Sequence, residues 1–594
     1  MSAIIERIFS SKVWPIAILI VVSLLVFANT LYNGFVFDDG FQIIDNKWIR
    51  DPSYIPDIFT TSAWGFKTGS TSNYYRPLMH ISFMIDYAIF GLVPWGFHLT
   101  NILVHALNST LVYMIAMLFY LGPGISYEKE TKEETGIKAA YLAFASALIF
   151  AVHPVHTEVV AWISAIPEAS FTFFFLVSLY TYMLYSLNKE GRKNFVLLIV
   201  SLAAFIVSLL CKETALTLIG VIAIFDLSIN RSFRGLKIKR YLPYIVVIIG
   251  YMALRVSVFS GLVHSAQHTY LTSFQYLLNV FPLIADYVWL ILWPVNLNAF
   301  ALFKPVLSIG EPRLLISLVV ILALLALFIS AWKKKLVFFG LLWAIFTLAP
   351  ALYIPAIGAT KMSVFHDRYL YLPSAGFILV AVYLLARILK KLSPGKAVAI
   401  FTLLILIFTF ALAARTIARN RVWRDNYTFW KVIAEKTTES EIVYINIGNA
   451  ASERGLKNEA LRAYLTAQEL DPENAVTLNN IGFLYFQTER IEESIESYKM
   501  ALKFAANIDY KAKINENLGD AFIKISMMDE AIESYRASIE SSALNANLYN
   551  KLGIAYGNAG RFDEAAISFE KALKINPAHL GARTNLEKVE GLKR

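Results

Sequence analysis

The sequence predicts an all-α chain in two parts: a membrane domain of about eleven spanning helices and a C-terminal domain of repeated helix pairs. Of the 594 residues, 57% are hydrophobic and only 16% are charged, whereas soluble proteins contain about 25% charged residues. Residues 441–594 contain 18 Lys and Arg against 22 Asp and Glu, and residues 1–440 contain 36 against 22. The net positive charge therefore belongs to the membrane domain and does not indicate nucleic-acid binding. A single cysteine, Cys211, excludes an intrachain disulfide and a cysteine-based metal cluster.

Long apolar runs define the membrane domain, residues 1–415. A run of about 18 apolar residues indicates a spanning helix, because lipid offers the backbone no hydrogen-bond partner. Eleven spans are predicted, at 13–31, 95–121, 139–152, 169–187, 194–210, 214–229, 241–259, 314–332, 336–353, 369–389 and 397–414. No small-residue cleavage site accompanies the first run, so it is predicted to be retained and not removed as a signal peptide.

Loop charge predicts the orientation, because Lys and Arg concentrate in short cytoplasmic loops. With the N-terminus in the cytoplasm, the inner loops receive Lys189, Arg192, Lys193, Arg231, Arg234, Lys237, Lys239, Arg240, Lys333, Lys334, Lys335, Arg387, Lys390, Lys391 and Lys396. This orientation requires a further apolar run, 274–293, to be re-entrant or interfacial, and it puts the C-terminal domain outside. Residues 416–440 are predicted to form a basic interfacial linker. The arginines just past the last span, Arg415, Arg419, Arg421 and Arg424, are interpreted as an interfacial anchor, with contact to a lipid phosphate as the alternative.

Four internal repeats make up the C-terminal domain, residues 441–594. Gly448, Gly482, Gly519 and Gly553 recur at spacings of 34, 37 and 34 residues, and 16 residues after each lies an aromatic side chain: Tyr464, Tyr498, Tyr535 or Phe569. A small residue where two helices cross, with an aromatic beside it, is typical of tetratricopeptide repeats. Four repeats and a capping helix at 580–592 suffice for a short solenoid. Its concave face is predicted to bind an extended peptide, and a purely structural or oligomerising solenoid is the alternative.

Polar residues gather on the outer side of the predicted membrane domain. They are Asp38 and Asp39, Arg76, His153, His156 and Glu158, Lys212 and Glu213, and Arg368. Ionisable groups at membrane depth are costly and usually line a site, so five clusters on one face predict a pocket. Simpler interpretations exist: a turn or cap for the aspartates, a buried ion pair for Lys212 and Glu213, and an interfacial position for Arg368. A metal between the histidines is disfavoured, because a proline separates them and no third ligand is evident.

The chemistry of such a pocket suits a substrate with an anionic head and a lipid tail. Arg and Lys hold phosphate groups, and a carboxylate can deprotonate an incoming hydroxyl. Together they predict glycosyl transfer from a polyprenyl-phosphate sugar, with inversion at the anomeric carbon. No cofactor is indicated, and a requirement for a divalent cation stays open.

One known family resembles this chain along nearly its whole length. The motifs that carry the resemblance are Asp38-Asp39, Tyr75-Arg76-Pro77-Leu78, His153-Pro154-Val155-His156-Thr157-Glu158, Lys212-Glu213 and Arg368-Tyr369-Leu370-Tyr371, followed by the repeats. The family is that of the transmembrane and tetratricopeptide-repeat-containing protein O-mannosyltransferases, with its prokaryotic relatives. The resemblance implies a GT-C-type membrane glycosyltransferase, a dolichyl- or polyprenyl-phosphate mannose donor, and Ser or Thr of a protein as acceptor. It also implies that the repeats lie on the lumenal or periplasmic side.

The resemblance also implies roles for the polar clusters. The catalytic base is expected to be an aspartate of the first outer loop, and adjacency does not choose between Asp38 and Asp39. The candidates for binding the lipid phosphate are Arg76, Lys212 and Arg368. The residues expected to orient the sugar or brace these cations are Glu158, Glu213, His153 and His156.

Other function classes compete with this interpretation. A non-enzymatic repeat scaffold would need fewer than eleven spans as its membrane anchor. A transporter would usually place its charged residues near the bilayer midplane, on broken helices, whereas here they lie at the outer ends of the predicted spans. A GT-C enzyme that uses another sugar, or a glycan or lipid acceptor, is the nearest alternative. The compact loops and the lack of a retrieval signal at Leu592-Lys593-Arg594 favour a prokaryotic inner membrane, with the endoplasmic reticulum membrane as the eukaryotic equivalent.

Overall fold

The structure, a computed structural model, describes residues 13–67, 72–121, 137–188, 192–230, 237–259, 271–330, 332–352, 363–541 and 544–593. Three of the predicted inner-loop residues, Lys189, Arg231 and Arg234, lie outside these residues, and so does residue 353, the end of one predicted span. The chain divides into two compact units, Met1–Phe429 and Trp430–Arg594. The division falls inside the segment 416–440 that the sequence predicts to be a linker.

The first unit is a bundle of apolar helices. Its described helices are α1 (Val13–Phe27), α2 (Ile55–Thr60), α3 (Pro77–Phe90), α4 (Pro94–Leu121), α5 (Ala139–Val152), α6 (Thr157–Ala161), α7 (Ile166–Leu187), α8 (Arg192–Cys211), α9 (Leu218–Asn230), α10 (Leu242–Phe259), α11 (Ser273–Leu292), α12 (Pro312–Ser330), α13 (Lys335–Leu348), α14 (Tyr371–Leu389) and α15 (Pro394–Asn420), followed by α16 (Asn426–Ala434) at the boundary. Eleven of the described helices, some extended by adjoining 3-10 turns, are long and apolar enough to cross a membrane. The pair α5 and α6, bent by 48°, makes a twelfth if it forms one span. The chain is thus a multi-pass membrane protein.

The apolar run 274–293 forms one continuous helix, α11, with Pro282 inside it. Near the start of α11, the Asn279 side chain donates to the Val306 carbonyl at 2.8 Å, in the segment that leads into α12. Near its end, the Ile291 carbonyl accepts a hydrogen bond from His153 at 3.0 Å. Both ends of α11 therefore contact connecting segments of the bundle. By length and composition α11 is one of the eleven helices that could cross a membrane, so its interfacial placement stays a prediction from loop charge.

Two short strands were not expected in an all-helical chain. β1 (Ala301–Phe303) pairs with β2 (Ser363–Phe365) in antiparallel register, Ala301 opposite Phe365. Three-residue strands about sixty residues apart carry no readable alternation of apolar and polar residues, so the sequence gives no signal for them. The helix α3 was also not predicted, because it is short and the polar residues His80 and Asp86 interrupt its apolar run.

A close helix crossing fixes the position of α14. A Cβ atom at Gly340 of α13 would lie 2.7 Å from the Gly376 carbonyl oxygen of α14, and a Cβ atom at Gly376 would lie 2.6 Å from the Gly340 oxygen. Both positions therefore need glycine, and small residues at such crossings let membrane helices approach closely. The crossing anchors the helix that follows Arg368.

The second unit consists of helix pairs, as the repeat spacing predicts. The pairs are α17 (Glu441–Glu453) with α18 (Lys457–Leu470), α19 (Ala475–Gln487) with α20 (Ile491–Phe504), α21 (Ile508–Lys524) with α22 (Met528–Ser541), and α23 (Ala546–Asn558) with α24 (Phe562–Ile575), followed by α25 (Leu580–Lys593). Each repeated glycine faces the aromatic ring 16 residues later: a Cβ atom at Gly482 would lie 2.7 Å from the Tyr498 ring. The repeat interpretation is confirmed.

Candidate functional site

A cavity of about 830 Å³ lies in the first unit, beside the loop that carries Asp38. Its charged lining consists of four cations and three carboxylates: Arg76, Lys212, Arg255 and Arg368, with Asp38, Glu168 and Glu213. Aromatic and aliphatic side chains complete the wall, among them Trp162, Leu283 and Phe303. The charged residues come from the loop after α1, the residue before α3, the start of α7, the connection after α8, α10, and the segment between β2 and α14. A pocket with an excess of cations beside an apolar wall suits a ligand with an anionic head and an apolar body.

The two neighbouring aspartates occupy different surroundings. Asp39 is buried, with 1% of its surface exposed. Its carboxylate accepts hydrogen bonds from the Val36 N–H and the Ser164 N–H, both at 2.9 Å, and from the Ser164 hydroxyl. Asp39 therefore connects its loop to the segment between α6 and α7. This structural role resembles the turn or cap that was the simpler interpretation of the aspartates.

Asp38 faces the cavity. Among the residues that the structure describes, no donor hydrogen-bonds its carboxylate. Burial raises the pKa of Asp38 to about 6. The positive charge of Arg368 nearby lowers this pKa, but its effect is smaller than that of burial. A carboxylate with a pKa in this range and an uncommitted oxygen is suited to accept a proton at neutral pH.

Arg76 and Lys212 each pair with a glutamate. Arg76 donates from Nη2 to Glu213 at 2.9 Å, and its guanidinium lies over the Tyr74 ring, 4.3 Å from the centroid. Lys212 forms a buried ion pair with Glu168 of α7. The sequence neighbours Lys212 and Glu213 thus pair with residues of two other segments, α7 and the start of α3, and not with each other.

Arg368 is held on two sides. Its backbone N–H donates to Glu158 at 3.0 Å and its guanidinium donates to the other oxygen of the same carboxylate. Glu168 lies 3.9 Å from its Nε, and the Trp162 ring lies beneath it at 5.3 Å. Glu158 is not part of the cavity wall. Of the two roles expected for it, orienting the sugar or bracing a cation, its position fits the bracing of Arg368.

The two histidines lie behind the cavity wall and not in it. His153 donates to the Ile291 carbonyl and accepts from the Val155 N–H at 3.2 Å. His156 is fully buried, and its ring nitrogens bond the Phe150 carbonyl at 2.8 Å and the Ser374 hydroxyl at 2.9 Å. Their positions support the packing of α5 and α14 and do not bring them to a sugar. In the described parts of the chain, no three His, Cys, Asp or Glu side chains are grouped to hold a metal ion.

Arg255, on α10, is a cavity residue that was not predicted from the sequence. Its guanidinium donates to the Asn73 carbonyl at 2.9 Å, and no carboxylate of the described residues lies within ion-pair distance. It is thus the cavity cation without a glutamate partner. The available signal was an arginine inside a predicted apolar span, which is unusual enough to mark a site.

Three comparisons place the chain among known proteins. Models described as tetratricopeptide repeat match residues 445–508, 512–543 and 546–579. Protein O-mannosyl-transferase TMTC3 of Homo sapiens is 25% identical over 535 residues, covering 82% of this chain and 55% of the relative. TMTC4 of Mus musculus is 27% identical, covering 76% and 66%, and TMTC1 of Homo sapiens is 28% identical, covering 79% and 56%. The chain thus spans between about half and two-thirds of the length of these relatives.

Among solved structures, the tetratricopeptide-repeat protein YrrB is 24% identical, covering 28% of this chain and 83% of that chain with a TM-score of 0.26. The resemblance expected from the motifs is confirmed by the curated relatives: over 76–82% of its length, this chain is similar to the transmembrane and tetratricopeptide-repeat-containing protein O-mannosyltransferases.

Proposed function

We propose that this chain is a membrane glycosyltransferase that moves mannose from a polyprenyl-phosphate donor to Ser or Thr hydroxyls of proteins on the extracytoplasmic side. The observation that carries the proposal is Asp38, a carboxylate without a described hydrogen-bond donor in a cavity lined by four cations. The other two carboxylates of the lining, Glu168 and Glu213, are committed to ion pairs. The names of the relatives support the sugar and the class of acceptor.

The reaction follows from the roles of the lining residues. The Asp38 carboxylate takes the proton of the acceptor hydroxyl, and the hydroxyl oxygen forms a bond to the anomeric carbon. The bond between that carbon and the phosphate oxygen breaks, and polyprenyl phosphate leaves with the electron pair. Attack opposite the leaving phosphate inverts the anomeric centre.

The cations divide the task of holding the phosphate. Arg76, Lys212 and Arg368 are largely neutralised by their glutamates, so they supply directed hydrogen-bond donors rather than net charge. Arg255 adds the charge that offsets the leaving phosphate. The apolar wall, with Leu283 and Phe303, is the proposed contact for the first isoprene units.

The repeats are proposed to bind the acceptor protein. Asparagine side chains join the first helices of neighbouring repeats, and the last of these to α25, through Nδ2–Oδ1 hydrogen bonds of 3.0–3.1 Å. These run from Asn480 to Asn449, from Asn517 to Asn479 and from Asn585 to Asn550. Each asparagine amide retains further donor and acceptor capacity. Such a row can pair with the backbone of an extended peptide without selecting its sequence.

The test is a transfer assay with the purified protein in detergent, radiolabelled polyprenyl-phosphate mannose and a mixture of extracytoplasmic proteins as acceptor. Asp38→Asn removes the base and keeps the shape, so we expect a loss of about 10²- to 10⁴-fold in transfer rate. The matched control is Asp45→Asn, an exposed aspartate near the same loop. Undiminished transfer by Asp38→Asn contradicts the role of Asp38. If the protein transfers sugar only from lipids that carry another sugar, that sugar replaces mannose in the proposal. If it transfers sugar from none of these lipids, the result favours a non-enzymatic, membrane-anchored repeat scaffold.

A further inference from the structure

Residues 420–429, expected to be part of a linker, hold the loop that carries Asp38. We call residues 420–429 the clamp. Three hydrogen bonds join it to the loop: from the Asn33 side chain to the Asn420 carbonyl at 3.2 Å, from the Gly34 N–H to the Arg424 carbonyl at 2.8 Å, and from the Phe37 N–H to Asn426 Oδ1 at 2.7 Å. The last of these is the only one in which a side chain of the clamp acts on the residue next to Asp38.

Phe37 has an unusual backbone for its residue type. Its φ is +59°, in the left-handed region that bulky residues rarely adopt. Such a conformation persists where the surroundings over-determine it. Here the Asn426 oxygen accepts from the Phe37 N–H, while the Phe37 ring packs on Trp162 and Phe429, with centroids 5.5 and 5.8 Å away.

Two aromatic side chains of the clamp are buried next to the cavity wall. Trp423 is 1% exposed and stacks on Trp162, a residue of the cavity wall, with centroids 5.7 Å apart. Phe429 packs against Trp423 at 4.6 Å. Since Asn426 takes no part in these ring contacts, we expect a change at its side chain to act on the loop and to leave the stacked rings in place.

We propose that Asn426 is a positioning residue for Asp38. By accepting from the Phe37 N–H, its side chain fixes the left-handed turn that aims the next residue, Asp38, into the cavity. The consequence for catalysis rests on the proposed function, in which Asp38 is the base. The clamp is accordingly part of the site, although it lies almost 390 residues away in the sequence.

The kinetic test compares Asn426→Ala, which removes the acceptor, with Asn426→Asp, which keeps an acceptor oxygen at the same place. We expect kcat of Asn426→Ala to fall by about 100-fold, a loss that a misplacement of about 1 Å can cause, with the KM for the donor unchanged. Asn426→Asp should restore most of kcat. Asn194→Ala, at the opposite end of α8 from Lys212, is the matched control and should behave as wild type.

A second measurement needs no substrate. Hydrogen–deuterium exchange of the peptide covering 33–40 should be faster in Asn426→Ala than in Asn426→Asp, the control or the wild type. If the wild type transfers sugar but Asn426→Ala has unchanged kcat, the positioning role is overturned while the proposed function stands. If the wild type transfers nothing, the proposed function fails, and the exchange rate alone decides whether Asn426 holds the loop: equal rates in all variants overturn it.

Discussion

Asp38 differs from Asp39 at the level of single hydrogen bonds, and the difference has a consequence for pH dependence. Burial raises the pKa of Asp38 to about 6 from its ordinary 3.8. Only the ionised carboxylate accepts a proton, so the fraction of competent enzyme is high above that pH and declines below it. We expect kcat to fall tenfold per pH unit below about 6, measured with saturating donor across the acidic and neutral range.

A matched profile from Asp45→Asn should show the same decline, because that side chain lies outside the cavity. A decline centred near pH 4, the ordinary range of a carboxylate, would show that Asp38 is not the group that titrates or that its burial has no effect on the reaction.

At the scale of single residues, the sequence predicts which residue types gather at the site. It does not predict which of their atoms form hydrogen bonds or ion pairs. Asp38 and Asp39 are identical neighbours, and they differ in the hydrogen bonds that Asp39 accepts from Val36 and from Ser164, 125 residues later. Lys212 and Glu213 suggested an ion pair because they are neighbours in the sequence. Their actual partners lie on α7 and at the start of α3, and the sequence does not show that these segments meet. The asparagine at 426 carries no motif, since its effect passes through the backbone of another segment.

Among the elements, the repeat helices were the most predictable, because glycine and aromatic spacing encodes one local packing contact. Gly553 of α23 tests that contact: an added Cβ atom would lie 2.5 Å from the Phe569 ring. We expect Gly553→Ala to destabilise this repeat by about 1–3 kcal/mol through overpacking. Gly557→Ala, in the same helix, meets its nearest neighbours at 4.0 Å and should be neutral or stabilising.

The measurement is hydrogen–deuterium exchange of the peptides covering α23 and α24 in the full-length chain. Faster exchange in Gly553→Ala but not in Gly557→Ala is the expected result. Equal exchange in both variants would mean that the ring moves aside freely and that the repeated glycine is not required by packing.

Elements that depend on distant partners were the ones that the sequence missed. The strands β1 and β2 exist only as a pair, and each is too short to show a period. The helix α11 is apolar enough for a span, and only the charges of the loops that follow it favour another placement. Hydropathy measures the length of an apolar run, and it does not measure the direction in which a helix lies.

For the whole molecule, the placement of α11 decides the side of the membrane on which the repeats lie. If α11 is interfacial, the remaining spans number eleven, counting α5 with α6, and the repeats are extracytoplasmic with the N-terminus inside. The native thiol offers little background, because Cys211 is only 3% exposed. Exposed positions for a new cysteine are Ser308 between α11 and α12, Lys391 between α14 and α15, and Lys571 in the repeats.

We expect a membrane-impermeant maleimide to label Ser308→Cys and Lys571→Cys in spheroplasts of expressing bacteria, and to label Lys391→Cys only after the membrane is permeabilised. The basic loops around Lys391 would then face the cytoplasm, as loop charge predicts. If α11 crosses the bilayer, all three sites reverse together, because one additional span inverts everything that follows it. A reversal would put the repeats in the cytoplasm, where they could not present an extracytoplasmic acceptor to Asp38. The labelling pattern therefore tests the orientation on which the proposed acceptor role of the repeats depends.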